Sequence, residues 1–155
     1  MGFIKNRYAS NKAQVEWGID EDTDNVALLR VAEVTLTSAQ ILALHTTPVS
    51  IIAAQGAGKV IVIDKVVGFI DYGAATYSLT TSTLNLDYKA DASGNTAASL
   101  ANAFVVSTAN AYGIGLGTIG VPLANEPIVA TLGSAATVGD SPITLIVYYK
   151  VVDYN

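Results

Sequence analysis

The 155-residue sequence contains no cysteine, one histidine (His45), one tryptophan, one methionine and four prolines. Without cysteine, the fold has no disulfide bond and no thiolate metal site. With a single histidine, a histidine-based catalytic triad or metal cluster has only one candidate member. We therefore expect no metal and no cofactor, and we interpret His45 as a residue at the C-terminal end of a short helix.

Charged residues are also scarce. They make up 14% of the sequence, against about 25% in typical soluble domains, while hydrophobic residues make up 51%. A single domain of this size has a large surface, so either small polar residues provide its solubility or other subunits cover part of it. The net charge of −5 argues against nucleic-acid binding. No stretch has the roughly 20 apolar residues of a membrane-spanning helix, and we expect no signal peptide and no membrane partner.

The charges that are present concentrate near the N-terminus. Nine fall within residues 1–30 and twelve in the remaining 125 residues. We predict an extended charged arm over residues 1–30 and a β-sandwich domain over residues 31–155. The arm is either a solvated tail or a segment that docks on a neighbouring subunit, and a lone tryptophan favours docking. Its candidate partner-binding residues are Phe3, Tyr8, Trp17, Asp20, Glu21, Asp22 and Asp24.

From residue 31 onward, the pattern alternates with period two or forms short runs of Val, Ile, Thr and Tyr. It predicts an all-β fold, an antiparallel and jelly-roll-like sandwich, because the full-length helices that a parallel sheet requires are missing. One short helix is predicted over residues 37–44, with Thr37 or Ser38 as its cap and with Gln40, three residues past Thr37, giving a weakened capping box. A further helical turn or two is predicted within residues 95–103. Strands are predicted over residues 31–37, 49–53, 60–72, 76–80, 84–88, 104–108, 128–132 and 143–153.

Two glycine motifs imitate nucleotide-binding loops. The GAGK of residues 56–59 has Val60 where a phosphate loop needs Ser or Thr, and a β-branched run follows instead of a helix. We predict a turn between two antiparallel strands there. The GLGTIG of residues 115–120 matches the dinucleotide pattern, but the prolines after it leave no room for the helix that this pattern opens. We predict a surface loop or a subunit contact.

Nothing in the sequence assembles a catalytic site. A glycan hydrolase needs paired carboxylates, and no spacing pairs those that follow the arm, which include Asp64, Asp71, Asp87 and Glu126. We therefore expect no enzymatic activity and no catalytic residue. Asp87, Asp91 and Asn95 are interpreted as turn residues. The tyrosines are interpreted as core and cross-strand residues, with a sugar-binding groove as the alternative; they include those at positions 72, 77, 88, 148, 149 and 154.

One long segment resembles a known kind of protein. The run VTLTSAQILALHTTPVSIIAAQGAGKVIVIDKVVGFIDYGAATY (residues 34–77) is similar to a segment that recurs in small tailed-bacteriophage virion proteins. There, a LTSAQ-(I/L)-LAL…TPV lead precedes GAGK and a strand that ends in DYG. The resemblance covers about a third of the chain. It implies a virion structural component without an active site, such as a head decoration, head fibre or tail-associated protein.

The expected function is therefore that of a capsid decoration or auxiliary protein that binds and reinforces a phage particle through protein–protein contacts. The alternative is a tail- or fibre-associated module that binds a receptor or a carbohydrate. The expected partners are the major capsid protein or neighbouring subunits, in a virion assembled in the host cytoplasm. We expect a homo-oligomer, because closed symmetry hides apolar sheets and their edges. A trimer is expected because virion β-sandwich proteins commonly form trimers.

Overall fold

The computed structural model describes residues 28–88, 95–117 and 120–153. Within these ranges, eight strands form two antiparallel sheets of four strands each, and two short helices join them. The predicted all-β sandwich is confirmed. The elements are β1 Arg30–Leu36, α1 Ser38–Ala43, β2 Val49–Ile52, β3 Lys59–Ile70, β4 Leu84–Tyr88, β5 Thr96–Leu100, α2 Asn102–Val105, β6 Ala111–Leu116, β7 Ile128–Leu132 and β8 Ile143–Asp153.

The strands pair as one long hairpin that has been wrapped around itself. Strand β1 pairs with β8, β2 with β7, β3 with β6 and β4 with β5, all antiparallel. Two further pairings, β3 with β8 and β4 with β7, collect the strands into sheets of order β1-β8-β3-β6 and β2-β7-β4-β5. Eight strands in this arrangement form a jelly roll. The chain crosses from one sheet to the other at every connection except the β4–β5 hairpin.

The hydrophobic core fills the space between the two sheets. Alternate residues of a strand point to opposite faces, so Ile143, Leu145 and Val147 of β8 all point inward and are fully buried. They belong to the same buried cluster as Leu84 and Leu86 from the opposite sheet. Strand β7, which lies between β2 and β4 in the second sheet, is buried along its whole length.

Two tyrosines of the core keep their hydroxyl groups hydrogen-bonded. The hydroxyl of Tyr77 donates to the carbonyl of Ser141 at 2.5 Å, and that of Tyr88 donates to the carbonyl of Ile61 at 2.6 Å. Burial raises the pKa of Tyr88. Burial, followed by the negative charge of Asp140, raises the pKa of Tyr77 to about 12. For these two tyrosines, the prediction of core residues is confirmed.

Local signals in the sequence locate α1 and the turn before β3. The Thr37 side chain accepts from the backbone N–H of Gln40, and the Gln40 side chain accepts from the backbone N–H of Thr37, so the predicted capping box is confirmed. The predicted GAGK turn is also confirmed, since Gly56 and Gly58 have φ values of +104° and +73°. However, β2 and β3 belong to different sheets, so this turn connects two sheets and does not close a hairpin.

Several predicted elements are wrong. Residues 76–80 form no strand and contribute only an isolated bridge from Ser78 to Thr137. Residues 104–108 contain the end of α2 and a turn, and the helix predicted within 95–103 is instead strand β5 followed by the start of α2. In the predicted loop 115–120, Gly115 and Leu116 belong to strand β6. The alanines of residues 96–100 favour helix, but pairing with β4 makes this segment a strand, so tertiary contacts override the intrinsic preference there.

Candidate functional site

Two described residues that the sequence offered as candidates for chemistry, His45 and Asp87, have polar neighbours within the fold. His45 lies just after α1 and its Nδ1 is 3.1 Å from the carbonyl oxygen of Leu132. Asp87 lies in β4, so its interpretation as a turn residue is wrong. Its buried side chain accepts hydrogen bonds from the hydroxyl groups of Thr96 at 2.7 Å and Thr131 at 2.5 Å. Among residues 28–88, 95–117 and 120–153, no three His, Cys, Asp or Glu side chains lie close enough to hold a metal. Neither described helix has the length and hydrophobicity to span a membrane.

Asp140 is the most strongly bound carboxylate on the surface of the described residues. It accepts hydrogen bonds from the backbone N–H groups of Ala74 at 2.9 Å and Ala75 at 3.0 Å. These hydrogen bonds, of which the one from Ala75 has the largest effect, hold the pKa of Asp140 below its ordinary value. The Ser141 hydroxyl also accepts from the N–H of Gly73 at 3.1 Å. Because every one of these bonds ties the loop after β3 to the segment before β8, Asp140 connects two loops and does not form a ligand site.

Strand β6 is the feature of the fold that its own packing does not explain. Its sequence AYGIGL alternates large apolar residues with glycine, and the large residues face the solvent. The side chains of Tyr112, Ile114 and Leu116 are 72%, 63% and 71% exposed. The intervening Gly113 and Gly115 face the interior instead. This orientation is the reverse of the usual one, in which the apolar side of a strand faces the core.

The glycines face inward because the interior has no room for a side chain there. A Cβ atom on Gly115 would collide with the backbone carbonyl of Ser99 in β5, and one on Gly113 would lie 2.9 Å from the ring of Phe104. The two sheets also meet at this edge, where Gly117 forms a bridge with Ala98 of β5. The close approach of β5 at Gly115 and of Phe104 in α2 at Gly113 therefore forces the larger side chains of β6 to the outside.

The outward residues of β6 complete a surface over the part of the sheet in which all four strands pair. Beyond this part, β3 and β8 also carry charged residues, including Asp64 and Lys150, whose side chains form an ion pair at 3.3 Å. We define the outer face as the twelve solvent-facing residues of β1, β8, β3 and β6 within the four-stranded part. The strand registers arrange them in three cross-strand rows. The rows are Val31–Tyr148–Lys65–Leu116, Glu33–Ile146–Val67–Ile114 and Thr35–Thr144–Phe69–Tyr112.

Apolar and aromatic side chains dominate the outer face. Only Lys65 and Glu33 carry a charge among its twelve residues, and the Lys65 ammonium lies 4.5 Å from the ring centre of Tyr148. The apolar area continues beyond β1 to Leu28 and Leu29, which are about half exposed. Isolated apolar residues on a surface are normal, but a contiguous apolar patch of this kind indicates an interaction site. A flat apolar sheet face suits contact with another protein surface.

One end of the outer face contains a shallow groove of about 390 Å³. Its lining includes Phe69 and Tyr112, whose ring centres are 6.2 Å apart, together with Asp71 and Asn110. The Asn110 side-chain oxygen accepts a hydrogen bond from the backbone N–H of Tyr72 at 2.7 Å, so that oxygen already has a structural role. Two exposed rings beside a carboxylate resemble a sugar-binding platform.

The residues that the sequence predicts to bind a partner differ from the exposed apolar residues that the structure shows. All the predicted partner-binding residues lie outside the described residues; they are Phe3, Tyr8, Trp17, Asp20, Glu21, Asp22 and Asp24. Sequence analysis missed Phe69, Tyr112, Ile114 and Leu116 as surface residues. The signal for β6 was present as strict alternation in AYGIGL, which is the period-two pattern of a strand. Glycine at every second position concealed it, because glycine is depleted in strands.

Comparisons with known proteins assign no family. No protein-family model and no curated protein matches the chain. Among solved structures, one similar chain comes from the capsid asymmetric unit of Cyanophage Pam1. It has 14% sequence identity and a TM-score of 0.43, and the match covers 84% of this chain and 96% of that chain. A likeness at this level assigns neither a family nor a function.

Proposed function

We propose that this protein is a non-enzymatic structural component of a bacteriophage particle, and that its outer face binds another virion protein. The observation that carries the proposal is the reversed strand β6, which exposes Tyr112, Ile114 and Leu116 while glycine faces the core. An isolated domain gains nothing from three large apolar side chains in water. In an assembly the same side chains are covered, and their burial stabilises the contact.

A structural role in the virion, of which capsid decoration is the form we propose, is supported by the sequence. Residues 34–77 resemble a segment of small tailed-phage virion proteins, and this segment comprises the end of β1, then α1, β2 and β3 with the GAGK turn. The jelly roll is a fold of viral capsid proteins and also of lectins, so it agrees with this function but does not select it. The partner we propose is the major capsid protein or a neighbouring subunit, in a closed homo-oligomer for which a trimer is our working number.

The N-terminal residues provide the second part of the proposed contact. We assign residues 1–30 to an arm and residues 31–155 to the sandwich domain. The described residues begin at Leu28, just before β1. The arm carries the aromatic residues Phe3, Tyr8 and Trp17 as anchors, and the acidic residues at positions 20, 21, 22 and 24 as an electrostatic partner. Large aromatic side chains are the usual centres of binding energy in protein interfaces.

Two measurements test this function. The first is detection of the chain by mass spectrometry in density-gradient-purified phage particles from the host culture, with the soluble fraction of the same lysate as the control. The second is the mass of the purified full-length chain by light scattering over a range of concentrations. A chain that is abundant in the soluble fraction, absent from particles and monomeric at every concentration would contradict the proposal.

The alternative function is a tail- or fibre-associated module that binds a carbohydrate receptor. The observation in its favour is the groove at the end of the outer face, where Phe69 and Tyr112 lie beside Asp71. Sugar rings stack on exposed aromatic side chains, and carboxylates accept hydrogen bonds from sugar hydroxyls. A glycan array, with and without calcium, separates the two functions. Binding that is lost in Tyr112→Ala and kept in Val121→Ala would favour the receptor module over the decoration protein.

A further inference from the structure

We propose that the outer face is covered by the N-terminal segment of a second copy of this chain, residues 1–27. This inference rests on the proposed function, because it names the partner that the outer face binds in the assembly. Three observations lead to it: the area of the outer face, the length of the segment, and the position at which the segment joins the sandwich.

The area of the outer face favours a segment over a second flat domain. Four strands spaced about 4.8 Å apart, and three rows that span about six residues of strand, give a face of about 20 by 20 Å, or roughly 400 Å². A stable interface between two domains buries about 800 Å² on each partner. Two outer faces packed on each other would therefore reach only about half of that area. An extended segment that crosses the face also makes contacts beyond its edges.

The segment is long enough to make this contact between copies. Twenty-seven residues precede Leu28, and an extended chain of that length spans about 90 Å. Crossing a neighbour's outer face uses about 20 Å of it, which leaves ample chain to connect two copies. The segment also contains residues of the right chemistry, since Phe3, Tyr8 and Trp17 match an apolar face. The ammonium group of Lys65 lies in the row nearest the start of β1 and offers a partner to the acidic run at residues 20–24.

The junction with the sandwich indicates that the donor is another copy. Strand β1 is an edge strand of the sheet, so the segment leaves at the border of the outer face. Leu28 and Leu29, the last residues before β1, are about half exposed and do not pack into the core of their own sandwich. Exchange of a terminal element between identical copies is a low-cost route to oligomers.

Cross-linking tests the proposal directly, because the chain contains no natural cysteine. Ala9→Cys lies next to Tyr8 and preserves that anchor. Thr35→Cys reports on the outer face, and Ser50→Cys, also an exposed hydroxyl residue on a strand, is the matched control on the other sheet. Full-length Ala9→Cys protein is mixed with full-length Thr35→Cys or Ser50→Cys protein and treated with a short bismaleimide. Mass spectrometry then identifies the cross-linked peptides.

The proposal expects peptides linking positions 9 and 35 between two chains, in clear excess over peptides linking positions 9 and 50. Adding Trp17→Ala to the Ala9→Cys chain should lower the yield of the 9–35 product about tenfold, as expected for the loss of one aromatic anchor. Equal yields at positions 35 and 50 would overturn the proposal. So would a 9–35 link that forms only within the Ala9→Cys/Thr35→Cys double variant and not in the mixture. If the chain is nevertheless found in phage particles, the proposed function stands and only the identity of the occupant fails.

Discussion

Replacing Ile114 by serine should weaken association far more than it weakens the fold. Ile114 is 63% exposed in the isolated chain, so most of its apolar surface is available to a partner. Full burial of an isoleucine side chain stabilises by about 1.5–3 kcal/mol. Covering the exposed part of Ile114 is then worth about 1–2 kcal/mol at each interface. Its loss corresponds to a roughly tenfold rise in the dissociation constant.

The fold itself should lose less than about 1 kcal/mol, because only about a third of the side chain is in contact with the sandwich. Sedimentation velocity over a concentration series measures the association. Urea unfolding, at concentrations where the protein is monomeric, measures the stability. The matched control is Val121→Ser, since Val121 is 71% exposed but lies in the loop before β7, away from the outer face.

Two results would refute this reasoning. If Ile114→Ser and Val121→Ser associate as the unmodified chain does, the outer face is not an interface. If Ile114→Ser loses as much folding stability as association, the side chain belongs to the structural core, and its exposure has no functional meaning. The separation of the two measurements is therefore the test, and neither measurement suffices alone.

Three further predictions concern the fold that supports the outer face. Thr131→Val removes the hydroxyl that donates a hydrogen bond to the buried carboxylate of Asp87, and it should lower the free energy of unfolding by about 2 kcal/mol. In thermal unfolding, this loss corresponds to a drop in Tm of about 4–8 °C. The control is Thr144→Val, which removes an exposed hydrogen bond and should change the free energy of unfolding by less than about 0.5 kcal/mol. Gly115→Ala should destabilise by about 1–3 kcal/mol in urea unfolding, because its methyl group meets backbone, and an unchanged midpoint would contradict the inward packing. Backbone hydrogen bonds, first that of Ala75, lower the pKa of Asp140 below 3.8, so the stability they provide is present above pH 3.8 and is lost as the pH falls through the folded-state pKa. Asp140→Asn should remove this part of the acid dependence in unfolding measured from pH 6 to pH 2, and an unaltered pH profile would show that the ionised side chain contributes nothing.

The strands with strong intrinsic signals could be predicted from the sequence alone. Strands β4, β7 and β8 were predicted with the bounds that the structure has, because β-branched, aromatic or leucine-rich runs between turn residues favour extended chain. Helix α1 was predicted from its capping residues, and the GAGK turn from its glycines. In each case the physical cause acts within a few residues, so no knowledge of the rest of the fold was needed.

Strands β5 and β6 could not be predicted in this way. Residues 96–100 are rich in alanine and small polar residues, a composition from which we predicted a helix. They form strand β5 because they pair with β4. Strand β6 contains glycine at every second position and is a strand because it pairs with β3. Conversely, residues 76–80 have a strand-like sequence and find no neighbouring strand, so only a single bridge forms. Pairing is a property of distant residues, and composition does not report it.

The sequence by itself determined that the chain is an all-β domain with few charges, most densely placed near the N-terminus. Those properties follow from composition and from local preferences. Only the tertiary structure decided which side of each strand faces water. In β6, the tight approach of β5 and of Phe104 leaves no space for side chains, so the glycines turn inward and Tyr112, Ile114 and Leu116 turn outward. The candidate interface exists because of that steric restriction, which involves residues far apart in the chain.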